Sequence, residues 1–246
     1  MTVHLLGTGS ANAGPTRTTT MLAVEHGEAL VLVDCGADAV QQMLRAELDP
    51  TAVDAVILTH EHPDHISGYP LLLEKLWLLG RRQTIPVFGP AETLAKARRL
   101  FDTFNVRNWE GLPDRAFHEV PLEPGALVID VAGLHVTSTP VDHPVPTIGL
   151  RFESSSATVA YSCDTAPAAA VVALARGADL LIHEGTGSLP GVHSSPLEAA
   201  RIAAEAETPR LVLVHAPVGA CDDDLAEARE LLAATTWGED GDRIEL

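Results

Sequence analysis

Cysteine is scarce in this chain. There are three, Cys35, Cys163 and Cys221, scattered and with no CxxC pair among them. A disulfide framework and a cysteine-built structural zinc site are both excluded as devices that hold the fold. Basic residues are scarce as well: 16 Lys and Arg stand against 34 Asp and Glu, a formal net charge of −18. A protein that grips long nucleic acid normally offers a basic surface, and this one would repel a polyanion over most of its face. The expected substrate is therefore a small anionic molecule and not a long nucleic acid. No apolar run approaches the roughly 20 residues that span a bilayer, so no membrane partner is expected. Met1-Thr2-Val3-His4-Leu5-Leu6 lacks the basic region of a signal peptide and reads directly as a strand, which gives a cytoplasmic expectation.

What the chain does have is a dense run of ligand-type side chains. Thr59-His60-Glu61-His62-Pro63-Asp64-His65 follows the apolar run Ala55–Leu58, which reads as a buried strand. Imidazole and carboxylate are ligands for zinc and its borderline neighbours. In extended backbone, side chains two apart point the same way, so His60 and His62 can grip one ion together. Pro63 biases His62 toward that extended backbone, and Asp64 and His65, beyond the turn, could reach a second ion.

The rest of the 246 residues, 46% of them hydrophobic, suffice for one sizeable core, and residues 1–246 are read as a single domain. Val3–Leu6 reads as a strand, Met21–Val24 and Leu30–Val33 as a hairpin, and Val40, Met43, Leu44 and Leu48 as a helix stopped by Asp49-Pro50. Helices are expected over Leu71–Leu79 and Glu92–Phe101, with a short strand at Pro86–Phe88 between them. The second half repeats the theme. Hairpins are expected at Ala126–Val131 with Leu134–Ser138 and at Ile148–Phe152 with Thr158–Tyr161, strands at Leu180–Ile182 and Leu211–Val214. Helices are expected over Pro167–Arg176, from the capping box Ser195-Pro196-Leu197-Glu198 to about Ala206, and over Asp224–Ala233. Two similar halves suggest an α/β fold of two sheets face to face with helices outside, four layers in all. Leu76-Trp77-Leu78-Leu79 is an apolar stretch that could pair in a homodimer.

Further candidate ligands sit at expected strand ends: His143, Asp164, His183, Glu184 and His215, with His193 in a loop before a helix. Strand ends at one sheet edge converge in space, which is how distant residues build one site. Taken in order, Leu5-Leu6-Gly7-Thr8-Gly9-Ser10, Val33-Asp34-Cys35-Gly36, His60-x-His62-x-Asp64-His65, Tyr161-Ser162-Cys163-Asp164-Thr165, His183-Glu184-Gly185-Thr186, His193-Ser194-Ser195 and Leu213-Val214-His215 resemble the motifs of the metallo-β-lactamase superfamily, within it the ribonuclease Z-like branch. The resemblance spans nearly the whole chain.

It implies an αββα metallo-β-lactamase-like sandwich carrying two divalent ions, zinc or manganese, and a metal-bridging hydroxide as nucleophile. His60, His62 and His143 would hold one ion, Asp64, His65 and His215 the other, and Asp164 would bridge them. Asp34 would orient a ligand histidine; read alone, it is a turn aspartate. Glu184 and His193 would form a proton-delivering pair, while His183 reads as a buried histidine supporting its strand end. Cys163 stands where the family often has glycine, and reads as a small buried residue. The chain departs from ribonuclease Z proper in three places. Twenty residues separate His143 from Asp164, too few for that enzyme's long arm; the early loop Gly14-Pro15-Thr16-Arg17-Thr18 lacks its lysine and asparagine; and Ala216-Pro217-Val218 lacks the usual aromatic and basic residues. The layout is closer to the small cyclic phosphodiesterases of the branch. The expected activity is hydrolysis of a small or cyclic phosphodiester, with a carboxyl ester, thioester or lactone as the alternative and tRNA 3′-processing further off.

Overall fold

Alternate residues of one strand show how the layers arise. In the computed structural model, which describes residues 1–12 and 14–246, Val31 and Val33 pack into one apolar cluster and Leu30 and Leu32 into another. A strand covered on both faces needs apolar side chains at every position, and the run Ala29–Val33 supplies them.

The first half comprises β1 (Thr2–Gly7), β2 (Met21–His26), β3 (Ala29–Val33), α1 (Ala39–Arg45), β4 (Ala55–Ile57), α2 (Pro63–Ile66), α3 (Tyr69–Leu78), β5 (Ile85–Gly89), α4 (Ala91–Asp102) and β6 (Arg115–Glu119). The second comprises β7 (Ala126–Val131), β8 (Leu134–Pro140), β9 (Ile148–Glu153), β10 (Thr158–Tyr161), α5 (Ala169–Ala175), β11 (Leu180–Glu184), α6 (Pro196–Glu205), β12 (Leu211–Val214), α7 (Ala226–Leu231), β13 (Thr235–Trp237) and β14 (Arg243–Glu245). One seven-stranded sheet has the order β14-β1-β2-β3-β4-β5-β6, the other β13-β12-β11-β10-β9-β8-β7. The inner faces share a core that includes Val33, Ile57, Phe152, Tyr161, Ile182 and Val214. Residues of α1, α3 and α4 close the outer face of the first sheet, and those of α5, α6 and α7 that of the second. The four-layer αββα sandwich is the observed architecture.

Three strands escape the sequence pattern. β6 reads Arg-Ala-Phe-His-Glu, β13 and β14 are three residues each, and all three sit at or beside sheet edges, where a strand need not be apolar. Three helices are shorter than expected, among them α5, which spans Ala169–Ala175 of the expected Pro167–Arg176. α1 ends at Arg45 because Glu47 turns left-handed (φ 60°) and the Leu48 N–H donates back to the Met43 carbonyl; Leu44 is left exposed. α7 covers only Ala226–Leu231, a 3₁₀ turn at Asp222–Leu225 replacing its expected start. The capping box at Ser195 is present, with the hydroxyl accepting from Glu198 N–H and the Glu198 carboxylate accepting from Ser195. In the apolar stretch at the end of α3, Leu76 is buried while Leu78 and Leu79 are exposed. No described helix is long and apolar enough to cross a membrane.

Candidate metal centre

Parallel pairing brings the site together. β3 and β4 run parallel, so Asp34 and Thr59-His60 emerge side by side. β10, β11 and β12 run parallel as well, so Asp164, Glu184 and His215 emerge at one edge of the other sheet. His62 is the N-cap of α2 with extended backbone (φ −66°, ψ 148°), as Pro63 dictates, and Asp64 and His65 lie in that helical turn.

The seven residues expected to hold metal converge. Donor atoms of His60, His62, His143 and Asp164 lie within 4.8 Å of one another, as do those of Asp64, His65 and His215. His62 Nδ1 is 3.1 Å from Nε2 of both His60 and His143. Asp164 Oδ2 stands between the two sets, 3.9 Å from His60 Nε2, 3.5 Å from His65 Nε2 and 3.3 Å from His215 Nε2. Asp64 Oδ2 is 3.3 Å from His215 Nε2 and 3.5 Å from His65 Nε2.

A test of whether these residues suit a cation comes from their other ring nitrogens. His65 Nδ1 donates to Asp34 (2.8 Å), His143 Nδ1 to the Val192 carbonyl (3.0 Å) and His215 Nδ1 to the Thr186 hydroxyl (2.6 Å), while His60 Nδ1 lies 3.1 Å from Thr59 Oγ1. Four imidazoles are thus held at Nδ1 with Nε2 turned into the cluster, the arrangement that metal-binding histidines show. His65 Nε2 and Asp164 Oδ1 are buried with no hydrogen-bond partner. Buried polar atoms without partners are rare, and a cation in their midst would satisfy them. The donor set fits divalent metal.

Electrostatics divide the cluster. Burial pushes His60 well below the ordinary histidine range, and burial likewise lowers His62 and His143. For His65 burial acts downward too, but the carboxylates of Asp164 and Asp34 outweigh it and raise the ring well above that range. Burial would raise Asp164, yet His215 and His65 hold it well below the usual carboxylate range.

Asp34 is 1% exposed and holds Thr59 as well as the His65 ring. Its Oδ1 accepts from Thr59 N–H (2.8 Å), and its Oδ2 accepts from both the Thr59 hydroxyl (2.7 Å) and His65 Nδ1 (2.8 Å). Cys163 is buried, as expected, and its Sγ lies 3.0 Å from Thr59 Oγ1. Asp34, Cys163 and His215 all have positive φ (59°, 56° and 53°), a region that side-chain-bearing residues seldom adopt.

His193 and Glu184 meet beside the cluster. His193 Nδ1 is 3.0 Å from Glu184 Oε1, and its ring lies 5.4 Å from that of His215 and 5.5 Å from that of His143. Burial lowers His193, and the Glu184 carboxylate more than offsets this, leaving it raised. A donor atom of His193 also lies within 4.8 Å of those of Asp164 and His215, so distance alone does not separate a proton donor from a ligand. Glu184 does more than the sequence suggests: it also accepts from the backbone N–H groups of Thr165 (3.3 Å), Ser194 (2.9 Å) and Thr186 (2.9 Å). His183 is fully buried, with Nδ1 donating to the Glu184 carbonyl (2.7 Å), and contributes no donor to the cluster. Thr59 and Thr186 are the site residues to which the sequence assigned no role. The signal available was position, Thr59 preceding His60 and Thr186 lying two residues past Glu184. A cavity of about 400 Å³ opens beside His62 between α2 and α4, its wall formed by Ile66, Leu100, Lys96 and Arg99. Lys96 pairs with Glu61 at 2.6 Å.

Residues 30–216 match the family described as Beta-lactamase superfamily domain. A curated relative named Ribonuclease Z, from Synechococcus sp. (strain WH7803), is 31% identical over 98% of this chain and 94% of its own length. That alignment runs over 310 positions against a chain of 246, so at least 64 of them have no counterpart here. Among solved structures, the short form of human tRNase Z covers 100% of this chain and 99% of its own (24% identity, TM-score 0.81). A diphosphatase of the PhnP family covers 100% and 97% (23% identity, TM-score 0.78). The names Ribonuclease Z and tRNase Z lean against the expectation that long nucleic acid is excluded.

Proposed function

The chain belongs to the beta-lactamase superfamily, in its ribonuclease Z-like branch, and is a metal-dependent hydrolase; from that premise we propose that it is a phosphodiesterase acting on a small or cyclic phosphodiester. His60, His62 and His143 would hold one divalent ion and Asp64, His65 and His215 the other, with Asp164 between them; zinc or manganese suits these donors. Two such ions would supply a nucleophile by lowering the pKa of water toward 7 and would neutralise charge at phosphorus. The protein's own share is positional. Asp34 keeps the His65 Nδ1 proton away from the cluster. Glu184 holds the His193 imidazole by Nδ1, which leaves Nε2 as the nitrogen that would give its proton to the departing oxygen.

The observation that carries this reading is the pairing of an Asp carboxylate lying between two ligand sets with a carboxylate-held imidazole beside them. Phosphodiester cleavage needs charge neutralised at phosphorus and a proton for the leaving oxygen, and the two features meet those needs separately. Small size is supported by the net charge of −18 and by the compact stretch between His143 and Asp164, a single hairpin of β9 and β10. Arg99 in the cavity wall beside His62 offers a cation to an anionic substrate. The 31% identity to a ribonuclease Z favours a second reading, cleavage at the 3′ side of tRNA.

Zinc- or manganese-loaded protein should be assayed on bis(4-nitrophenyl) phosphate, a 2′,3′-cyclic nucleotide, a precursor tRNA, and thioester and lactone substrates. Turnover of the diesters with little cutting of the tRNA is expected. Accurate 3′ trimming of the tRNA would establish the second reading. Thioester or lactone turnover far above diester turnover would refute both.

A further inference from the structure

Three groups meet at one hydroxyl. Thr59 Oγ1 lies 2.7 Å from Asp34 Oδ2, 3.1 Å from His60 Nδ1 and 3.0 Å from Cys163 Sγ, and Thr59 is 0% exposed, out of reach of bulk solvent. A threonine hydroxyl has one proton to give and two lone pairs to receive with. An ionised carboxylate can only accept. The Thr59 proton therefore goes to Asp34, and what Thr59 presents to His60 is a lone pair. His60 Nδ1 must then carry the ring proton, and Nε2 must carry the lone pair that faces His62 and Asp164.

We propose that Thr59 is a positioning residue that fixes the His60 tautomer for metal binding, so that Asp34 governs one ligand in each of the two sets: His65 by direct contact and His60 through Thr59. The inference rests on the two-ion reading above. Its physical content is a choice of tautomer. Without the hydroxyl, the acceptor left near His60 Nδ1 among the described residues is Cys163 Sγ at 3.6 Å, a weak one. The ring then loses its reason to keep the proton on Nδ1, and a proton on Nε2 would have to be displaced before metal could bind. Loss of such an outer partner typically costs 10–100-fold in metal affinity. The loss should fall on the ion held by His60 and spare the one held by Asp64, His65 and His215.

Two measurements test this. The first needs neither metal nor variant: long-range ¹⁵N–¹H correlation spectra of the metal-free wild-type protein should show His60 protonated on Nδ1. Protonation on Nε2 would overturn the proposal. The second is zinc titration against a competing chelator, with metal content by mass spectrometry. In Thr59→Val one of two binding steps should weaken about 10–100-fold, and Thr59→Ser should restore it. Both steps unchanged in Thr59→Val, both weakened alike, or no rescue by serine would each overturn the proposal. Failure of the two-ion reading would show differently, as fewer than two tight ions in the wild-type protein. Failure of the phosphodiester reading would appear only in the substrate panel.

Discussion

His60 and His65 are fully buried, whereas His62, Asp64, His143 and His193, a few ångströms away, are partly open to solvent. The cluster thus has a dry flank and a wet one. On the dry flank Asp34, Thr59, Cys163 and the two histidines occupy one another's donors and acceptors. On the wet flank His62 has protein nitrogen on either side at 3.1 Å, and His193 hangs from a single carboxylate. The difference separates two duties. A dry flank whose outward-facing groups are paired would set where ions sit, because deleting Asp34 or Thr59 strands buried polar groups. A wet flank can receive substrate and exchange protons.

The largest effect should come where the flanks meet. Asp164→Ala, or exhaustive demetallation of the wild-type protein, should abolish hydrolysis, and metal added back should restore only the wild-type protein. Near-full activity in demetallated protein would break the division at its root. Asp34→Ala should follow, as the dry flank's own test. It strands Thr59 N–H, the Thr59 hydroxyl and His65 Nδ1 together, so it should lose metal and also about 3 kcal/mol of stability, read by denaturant unfolding of the metal-free protein. His62→Ala, on the wet flank, should lose metal while leaving metal-free stability within about 0.5 kcal/mol, as open positions allow.

His193→Ala should keep its metals and lose about 10²–10⁴-fold on substrates with alkoxide-like leaving groups, and far less with nitrophenolate, which departs without a proton. The pH dependence has a sign. Glu184 raises His193, so the proton-bearing form persists above the ordinary histidine pKa, and wild-type activity on poor leaving groups should fall as pH rises through the raised value. Loss of metal in His193→Ala would make it a ligand. Glu184→Gln should have the smallest effect on chemistry, yet cost about 1–3 kcal/mol of stability. The cause is geometric: both carboxylate oxygens accept backbone N–H, so one oxygen's replacement by an amide NH₂ sets donor against donor.

The ligand set, drawn from both flanks, was the more legible part of the site in the sequence. His60 to His65 lie within six residues, and short-range spacing after an apolar strand shows directly. His143, Asp164 and His215 were reachable because they follow apolar runs; parallel pairing of β10, β11 and β12 brings the ends before Asp164 and His215 together, and β8, antiparallel to β9 as β10 is, ends at the same edge before His143. The pairing that holds the dry flank together was hidden because its logic is long-range. Nothing local links Asp34 to Thr59 and His65, 25 and 31 positions on, or Cys163 to Thr59 across 104. The amide contacts of Glu184 were invisible for a related reason: backbone N–H groups carry no letter. The edge strands β6, β13 and β14 were missed because an edge demands little of composition.

The left-handed backbone at Asp34, Cys163 and His215 bears on how such a site can drift. A side chain held in that region costs on the order of 1–2 kcal/mol, and glycine removes the cost. At Asp34 and His215 that relief would delete the carboxylate or the imidazole, so neither position can take it. At Cys163 it would delete only a thiol resting on Thr59. Of the three turns, this is the one where two residues are viable solutions, one relaxing the chain and the other filling the space beneath His60. Exchange between them would leave the candidate ligands in place, and cysteine stands here where the family often has glycine.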